Sequence, residues 1–265
     1  MMITGHTPEG AREPGVPYEK PFEIPFEESI GRGFQTIEHV ESVVWHGLED
    51  RLGDDAMRGL AARLKASGDT VTPTLVAHAN LVRVAQTKGA YLDRPGVETI
   101  NPLLKIFEKG TYDYWSNMEP ASYEAPHAEF YLKATKIFHD AGVRLVAGTD
   151  AGIFTNIPGS SMTRELELLV EAGLTPYEAL ETATVNSGAA LGFGQTGRIA
   201  PGYRANLILV SGDPLADVGR VENPDAVILR GIYLDEKKLK ALRRAAAQTS
   251  FPRTARRVIA MFRDL

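Results

Sequence analysis

Residues 143–152 read VRLVAGTDAG, an apolar run that ends in a glycine-containing turn with the carboxylate Asp150. Apolar residues at helical spacing over 127–140 predict a helix immediately before this run. The run itself predicts a buried strand over 143–148, so that Asp150 lies just beyond the carboxyl end of the strand.

Three earlier segments predict further strands, and they lie at 3–6, 34–39 and 70–75. Apolar residues at helical spacing over 47–66 predict a helix between the second and the third of them. Strand and helix therefore alternate four times along the chain, which is the signature of a parallel α/β sheet.

The second half of the chain changes character. A helix is predicted over about 163–172, and Thr175-Pro176 with Glu178 predicts the capped start of another. After Gly192 short strands are predicted instead, at 197–199, 205–210 and 226–229. This pattern predicts a small β-domain followed by a basic helical tail.

Residues able to bind a metal end three of the four predicted strands: His6, His39 and Asp150. The carboxyl ends of parallel strands meet at one edge, so we expect these side chains to converge there. Two imidazoles and a carboxylate suit zinc, iron or manganese. The alternative for each residue is an ordinary polar group that is hydrogen-bonded at a strand end.

Composition narrows the functional classes. The 265 residues include no cysteine, which excludes disulfides and thiolate metal sites. The formal charge of −5 gives no reason to expect nucleic acid as a main partner. The arginines and lysines of the tail predict a solvated helical face in preference to a nucleic-acid site. No basic leader or long apolar run is present, which predicts a cytoplasmic protein that does not bind a membrane.

Several segments together are typical of one enzyme family. The chain resembles metal-dependent hydrolases of the amidohydrolase superfamily that are related to imidazolonepropionase and Xaa-Pro dipeptidases. The four predicted strands resemble the fifth to eighth barrel strands of that family, and the segments that carry the likeness are 3–8 (ITGHTP), 33–39 (GFQTIEH), 71–75 (VTPTL), 146–152 (VAGTDAG), 164–176 (RELELLVEAGLTP) and 197–202 (GRIAPG).

The resemblance implies a fold and a domain division. The fold would be α/β, with strands five to eight of a TIM (β/α)8 barrel and part of a small β-sandwich. The barrel portion would cover 1–192, with an insertion at 79–126 that is a candidate lid, and the sandwich portion 193–235. The tail would cover 236–265.

The resemblance also implies a site. His6 and His39 would be ligands of a divalent metal, with zinc expected and one or two ions in the complete enzyme. Asp150 would be a ligand, the general base, or both. His78, after the third predicted strand, is a candidate for binding substrate, with an ordinary loop histidine as the alternative.

The chain departs from the family pattern in three places. The family carries a His-X-His pair on its first strand, whereas none of the six histidines here lie two residues apart. The first four strands, one of which carries a carboxylated lysine in many members, are therefore expected to lie outside this sequence. Thr163 stands where many relatives have histidine, and Asn206 where aspartate is common.

These features predict a metal-dependent amidohydrolase that cleaves C–N bonds of an amide, cyclic amide or dipeptide through a metal-activated water. The alternative is a non-catalytic fragment or a subunit that works only by assembly. A lactone or phosphotriester hydrolase is a further alternative, because the same activated water serves both chemistries. The expected partners are a small-molecule substrate and either a second copy of the chain or a complementing N-terminal half.

Overall fold

The computed structural model describes residues 4–6, 25–49, 51–119, 124–153 and 155–263. Four short strands form one parallel sheet in the order of the chain. They are β1 (Thr4–His6), β2 (Thr36–Glu38), β3 (Thr70–Thr72) and β4 (Arg144–Leu145). The predicted parallel α/β sheet is confirmed for the described residues.

Helices make up a large part of the other residues that the structure describes. Eleven α-helices are described: α1 (Val40–Leu48), α2 (Asp54–Ser67), α3 (Leu75–Gln86), α4 (Pro102–Phe107), α5 (Lys109–Asn117), α6 (Glu124–Asp140), α7 (Ser160–Glu171), α8 (Pro176–Ala183), α9 (Val185–Ala190), α10 (Glu236–Ala246) and α11 (Phe251–Arg263). Short 3-10 turns lie at Phe26–Glu28, Ala90–Asp93, Val97–Thr99 and Val218–Glu222.

The strands are shorter than predicted because the backbone turns sharply at their carboxyl ends. The predicted strand 70–75 stops at Thr72, and Thr74 has the left-handed φ of 54° before α3 begins at Leu75. The strand predicted over 34–39 likewise ends before His39, whose φ is 65°. A strand residue has negative φ, so each of these residues ends its strand.

The helix predicted over 47–66 is confirmed in part. Most of this range forms α2, whereas residues 47 and 48 end α1, so two helices stand where one was predicted. Glu49 closes α1 in a left-handed conformation, and Gly53 precedes α2 with an extended backbone. Both helices bury apolar residues in the same core, whereas Leu52, which continued the apolar spacing across the break, is exposed.

The predicted start of α8 is confirmed. The Thr175 hydroxyl accepts the Glu178 backbone N–H at 3.2 Å, and the Glu178 carboxylate accepts the Thr175 backbone N–H at 2.8 Å. This reciprocal pair satisfies two helix N-terminal donors that would otherwise have no partner in the helix.

The core lies between the sheet and the helices. Ile37, Val71 and Leu145 are at most 2% exposed, and they pack with buried residues of α1, α2, α6 and α7. Burial of such apolar side chains contributes about 25 cal/mol per Å² removed from water. Packing of the core against the sheet therefore holds the carboxyl ends of the strands in place.

The insertion at 79–126 is largely helical where it is described. Its first residues belong to α3, and Tyr91, Tyr112 and Trp115 pack around the buried pair Val84 and Leu92. These aromatics therefore pack within the insertion, and its role as a lid stays a prediction. Residues 120–123 lie outside the described residues.

A second sheet follows the helical part. It is antiparallel and contains β5 (Leu207–Leu209), β6 (Ala226–Leu229) and β7 (Ile232–Leu234). The strand predicted over 197–199 is wrong, since this stretch is irregular and begins with a left-handed glycine. The Asn206 side-chain oxygen accepts the backbone N–H of Arg230 at 2.9 Å, so this residue has a structural contact within the second sheet region.

The tail is helical, as predicted, and forms α10 and α11. Leu242 and Ile259 in these helices are more than half exposed. Within the described part of the chain, no helix is both long and apolar enough to cross a membrane.

Candidate active site

The three predicted metal-binding residues lie at or after the carboxyl ends of strands in the parallel sheet. His6 is the last residue of β1 and pairs in register with Glu38 of β2. His39 follows β2 directly, and Asp150 lies five residues after the end of β4. The side chain of His6 lies outside the described residues, so the convergence of all three stays a prediction. Among the side chains that are described, no three His, Asp or Glu form a metal-binding group.

The His39 imidazole is oriented by its neighbour Thr74. Its Nδ1 lies 2.9 Å from the Thr74 hydroxyl, and that hydroxyl also lies 3.1 Å from the carbonyl oxygen of Thr72. A hydroxyl has one proton to donate, and the Thr72 carbonyl can only accept it. The Thr74 oxygen is then the acceptor for His39 Nδ1–H, so the neutral ring is the tautomer that carries its lone pair on Nε2. Metal-binding histidines typically donate their other ring N–H to a partner that does not itself bind the metal.

Three residues at this edge share an uncommon backbone conformation. His39, Thr74 and Asp150 have φ values of 65°, 54° and 50°, and they follow β2, β3 and β4 in turn. Non-glycine residues with positive φ cost about 1–3 kcal/mol each and often occur at functional sites. The carboxyl end of the sheet therefore has three strained turns, and each of them carries a polar side chain.

The turn that carries Asp150 is anchored by buried amides. The Asn156 side chain is fully buried and donates to the Thr149 carbonyl at 2.6 Å. Its Oδ1 accepts the Asn80 amide at 2.7 Å, and Tyr91 donates to Asn80 Oδ1 at 2.9 Å. This chain of contacts ties the Asp150 turn to α3 and the insertion, whereas the Asp150 side chain remains exposed.

Gly148 lies between β4 and Asp150, and it permits a close approach of this segment to Thr72, the last residue of β3. A Cβ at position 148 would lie 2.3 Å from the Thr72 methyl group, which is far inside van der Waals contact. The requirement for glycine here therefore comes from packing between the two chain segments.

His78 lies in α3 and not in a loop. It is 4% exposed and packs edge-to-face against Tyr131 of α6, with ring centroids 4.7 Å apart. Its contact with substrate stays a prediction. His46 and His127 are also buried in helices.

Glu165 is a buried carboxyl that the sequence analysis did not single out. It lies in α7 with 0% exposure, and its Oε2 accepts the Val76 backbone N–H at 2.7 Å. Burial raises the pKa of Glu165 to about 8, although the backbone N–H groups of Val76, Leu75 and Thr74 act to lower it. A helix rich in glutamate gives no sequence signal that one of them is buried.

The described donors fit a divalent metal in chemistry. The imidazole of His39 and the exposed carboxylate of Asp150 follow β2 and β4 at the carboxyl end of one sheet, and the sequence has no cysteine that could supply a thiolate. Nitrogen and oxygen donors of this kind suit zinc, iron or manganese.

A sequence profile of the amidohydrolase family matches residues 33–233, which is most of the chain and includes both described site residues. The chain belongs to the amidohydrolase family. The resemblance noted from the strand motifs is thereby confirmed.

Individual sequence relatives match shorter stretches. The chain is 36% identical over 103 residues to the ochratoxinase of Aspergillus niger, which covers 38% of this chain and 20% of the relative. It is 40% identical over 91 residues to the imidazolonepropionase of Streptomyces griseus subsp. griseus, which covers 32% and 23% respectively. The matched part therefore spans about a fifth of the length of these relatives.

Solved structures with a similar fold include a bottromycin amidohydrolase and a Xaa-Pro dipeptidase. The first has a TM-score of 0.63 at 23% identity and covers 94% of this chain and 54% of its own. The second has a TM-score of 0.53 at 22% identity and covers 79% and 42%. These likenesses support the amidohydrolase fold.

Proposed function

We propose that this chain carries metal-binding and proton-transfer residues of a hydrolase that cleaves C–N bonds in a small amide, cyclic amide or dipeptide. The observation that carries the proposal is the contact of His39 Nδ1 with the Thr74 hydroxyl, which orients the His39 ring at the carboxyl end of the sheet that Asp150 also follows. We further propose that β1 to β4 correspond to strands five to eight of a TIM barrel.

In this proposal His6 and His39 hold the ion, with Asp150 as a third ligand, the general base, or both. A divalent metal, with zinc expected, lowers the pKa of a bound water and polarises the substrate carbonyl. Asp150 accepts a proton from the water that attacks the carbonyl carbon. It then returns the proton to the nitrogen as the C–N bond breaks.

Family membership and the names of the relatives support the choice of substrate class. Imidazolonepropionase and Xaa-Pro dipeptidase are named for small cyclic or dipeptide substrates, and bottromycin amidohydrolase for an amide. The activity of the whole protein remains a proposal, because the matched part spans only a fraction of each relative.

Hydrolysis of a panel of amides, dipeptides, lactones and phosphotriesters, with added Zn²⁺ or with a chelator, tests the proposal. We expect slow hydrolysis of an amide or dipeptide by the purified chain, because the first-strand His-X-His pair is not in the sequence. This turnover should need the metal and disappear in Asp150→Asn. The matched control is Asp140→Asn, an exposed aspartate in α6 paired with Lys136, and it should keep the parent rate.

Three results would contradict the proposal. Turnover that is unchanged in Asp150→Asn would remove the proposed base. Activity restricted to lactones or phosphotriesters would place the chain in the other hydrolase class. A complete lack of both bound metal and turnover would favour the non-catalytic or assembly-dependent alternative.

A further inference from the structure

Glu165 makes a contact that links α7 to the start of α3. Its Oε2 accepts the backbone N–H of Val76, the second residue of α3, whereas its Oε1 has no hydrogen-bond partner among the described residues. A fully buried carboxyl with one unsatisfied oxygen is costly, since each such buried polar group costs about 1–3 kcal/mol. The presence of a carboxyl at this buried position therefore needs an explanation other than packing.

The start of α3 explains what Glu165 supplies. The first N–H groups of a helix have no acceptor inside it, and the residue before the helix usually provides one from its side chain. Thr74 occupies that position but makes no such bond. Its hydroxyl instead contacts His39 Nδ1 and the Thr72 carbonyl. Glu165 accepts a backbone N–H at the start of α3 in place of Thr74, so the Thr74 hydroxyl can contact His39 instead.

We propose that Glu165 is a positioning residue that acts on His39 through Thr74. By capping α3 from outside, it holds the left-handed turn at Thr74, and that turn presents the hydroxyl to His39 Nδ1–H. This inference rests on the proposed role of His39 as a ligand, but its geometry can be measured without catalysis or metal.

Substitutions at Glu165 separate this role from simple packing. Glutamine retains an oxygen that accepts the Val76 N–H, so Glu165→Gln should behave like the parent protein. Alanine removes the acceptor, so in Glu165→Ala the Thr74 side chain is expected to turn toward the helix N-terminus. The control is Glu167→Ala on the same helix, because Glu167 is partly exposed and pairs with Arg164.

The experiment is ¹⁵N NMR of the histidine rings in the metal-free chain, with the His39 signals assigned from His39→Gln. We expect a protonated, slowly exchanging Nδ1 for His39 in the parent, in Glu165→Gln and in Glu167→Ala. In Glu165→Ala this signal should be lost, while the His46 and His127 signals of the folded core remain. If Glu165→Ala does not fold, Glu165→Asp replaces it, since the shorter carboxyl is withdrawn from Val76 and should weaken the same signal.

The outcomes are distinct from those of the functional test. An unchanged His39 signal in folded Glu165→Ala or Glu165→Asp, with only a loss of stability, would overturn the positioning role. Loss of the signal in Glu165→Gln as well would also overturn it, because capping would then not be what matters. Failure of the chain to bind metal would contradict the proposed function but leave these spectra as they are.

Discussion

At the scale of single residues, the hydroxyl of Thr74 is expected to control metal affinity. Thr74→Val keeps the branched side chain and removes the acceptor for His39 Nδ1–H. Loss of such an outer partner typically weakens metal binding 10–100-fold, and we expect about 10-fold here. Isothermal titration with Zn²⁺ measures the change, with Thr74→Ser as the control that restores the hydroxyl. Equal affinity in Thr74→Val and the parent would show that the contact does not orient the ligand.

Glu165 predicts a specific dependence of stability on pH. Burial raises its pKa from 4.5 to about 8, so the folded chain keeps a proton that the unfolded chain releases within this range. The free energy of unfolding contributed by Glu165 is therefore fully present below pH 4.5 and is lost as the pH rises through about 8.

Urea unfolding of the parent and of Glu165→Gln across this pH range isolates the effect. Glutamine does not titrate, so the stability of the parent relative to Glu165→Gln should decline as the pH rises. A difference that stays constant, or that grows with pH, would mean that the carboxyl is ionised throughout in the folded protein.

His39 and Asp150 were predicted from the sequence, whereas Thr74 and Glu165 were not. The first two lie at or just after the ends of predicted strands, and a polar residue at such a position is visible in the sequence. Thr74 lay inside a predicted strand, where its left-handed φ is not expected. Glu165 resembles Glu167 and Glu171 in the sequence, and only the tertiary contact with α3 distinguishes it.

At the scale of elements, the close contact between Gly148, which follows β4, and Thr72 of β3 predicts a loss of stability when a methyl group is added at position 148. The added Cβ of Gly148→Ala would overlap the Thr72 methyl, and overpacking of this kind costs about 1–3 kcal/mol. Thr72→Ser removes that methyl, so the double variant should recover much of the loss. Denaturant unfolding of the four proteins measures the coupling. Additive losses in the double variant would show that the strands adjust without this contact.

The order and direction of the elements followed from the sequence more closely than their boundaries. Alternating apolar and helical segments predicted a parallel sheet, and Thr175 with Glu178 predicted a helix start that is confirmed. The break between α1 and α2 was missed, because Glu49 adopts a left-handed turn for which its residue type gives no signal.

At the scale of the whole molecule, the outer strands of the parallel sheet, β1 and β4, predict that the chain associates with itself. The β4 edge is partly covered, since Ala147 donates to the Thr182 carbonyl and Asn186 donates to that of Leu145. Within the described residues, β1 pairs on one side only. Unpaired backbone groups at a strand edge favour pairing with another chain. Light scattering should therefore give a mass of at least two chains, whereas a stable monomer that binds no hydrophobic dye would contradict this argument.

The central claim is that His6, His39 and Asp150 share one metal site, and titration with paramagnetic Mn²⁺ tests it most directly. Histidine ring signals broaden when the ion binds nearby, and single His→Gln variants assign the six histidines of the chain. The account predicts that His6 and His39 broaden together at the lowest Mn²⁺ concentrations, that His139 does not, and that Asp150→Asn weakens the effect. Broadening of His39 without His6, or of all exposed histidines equally, would contradict a shared site.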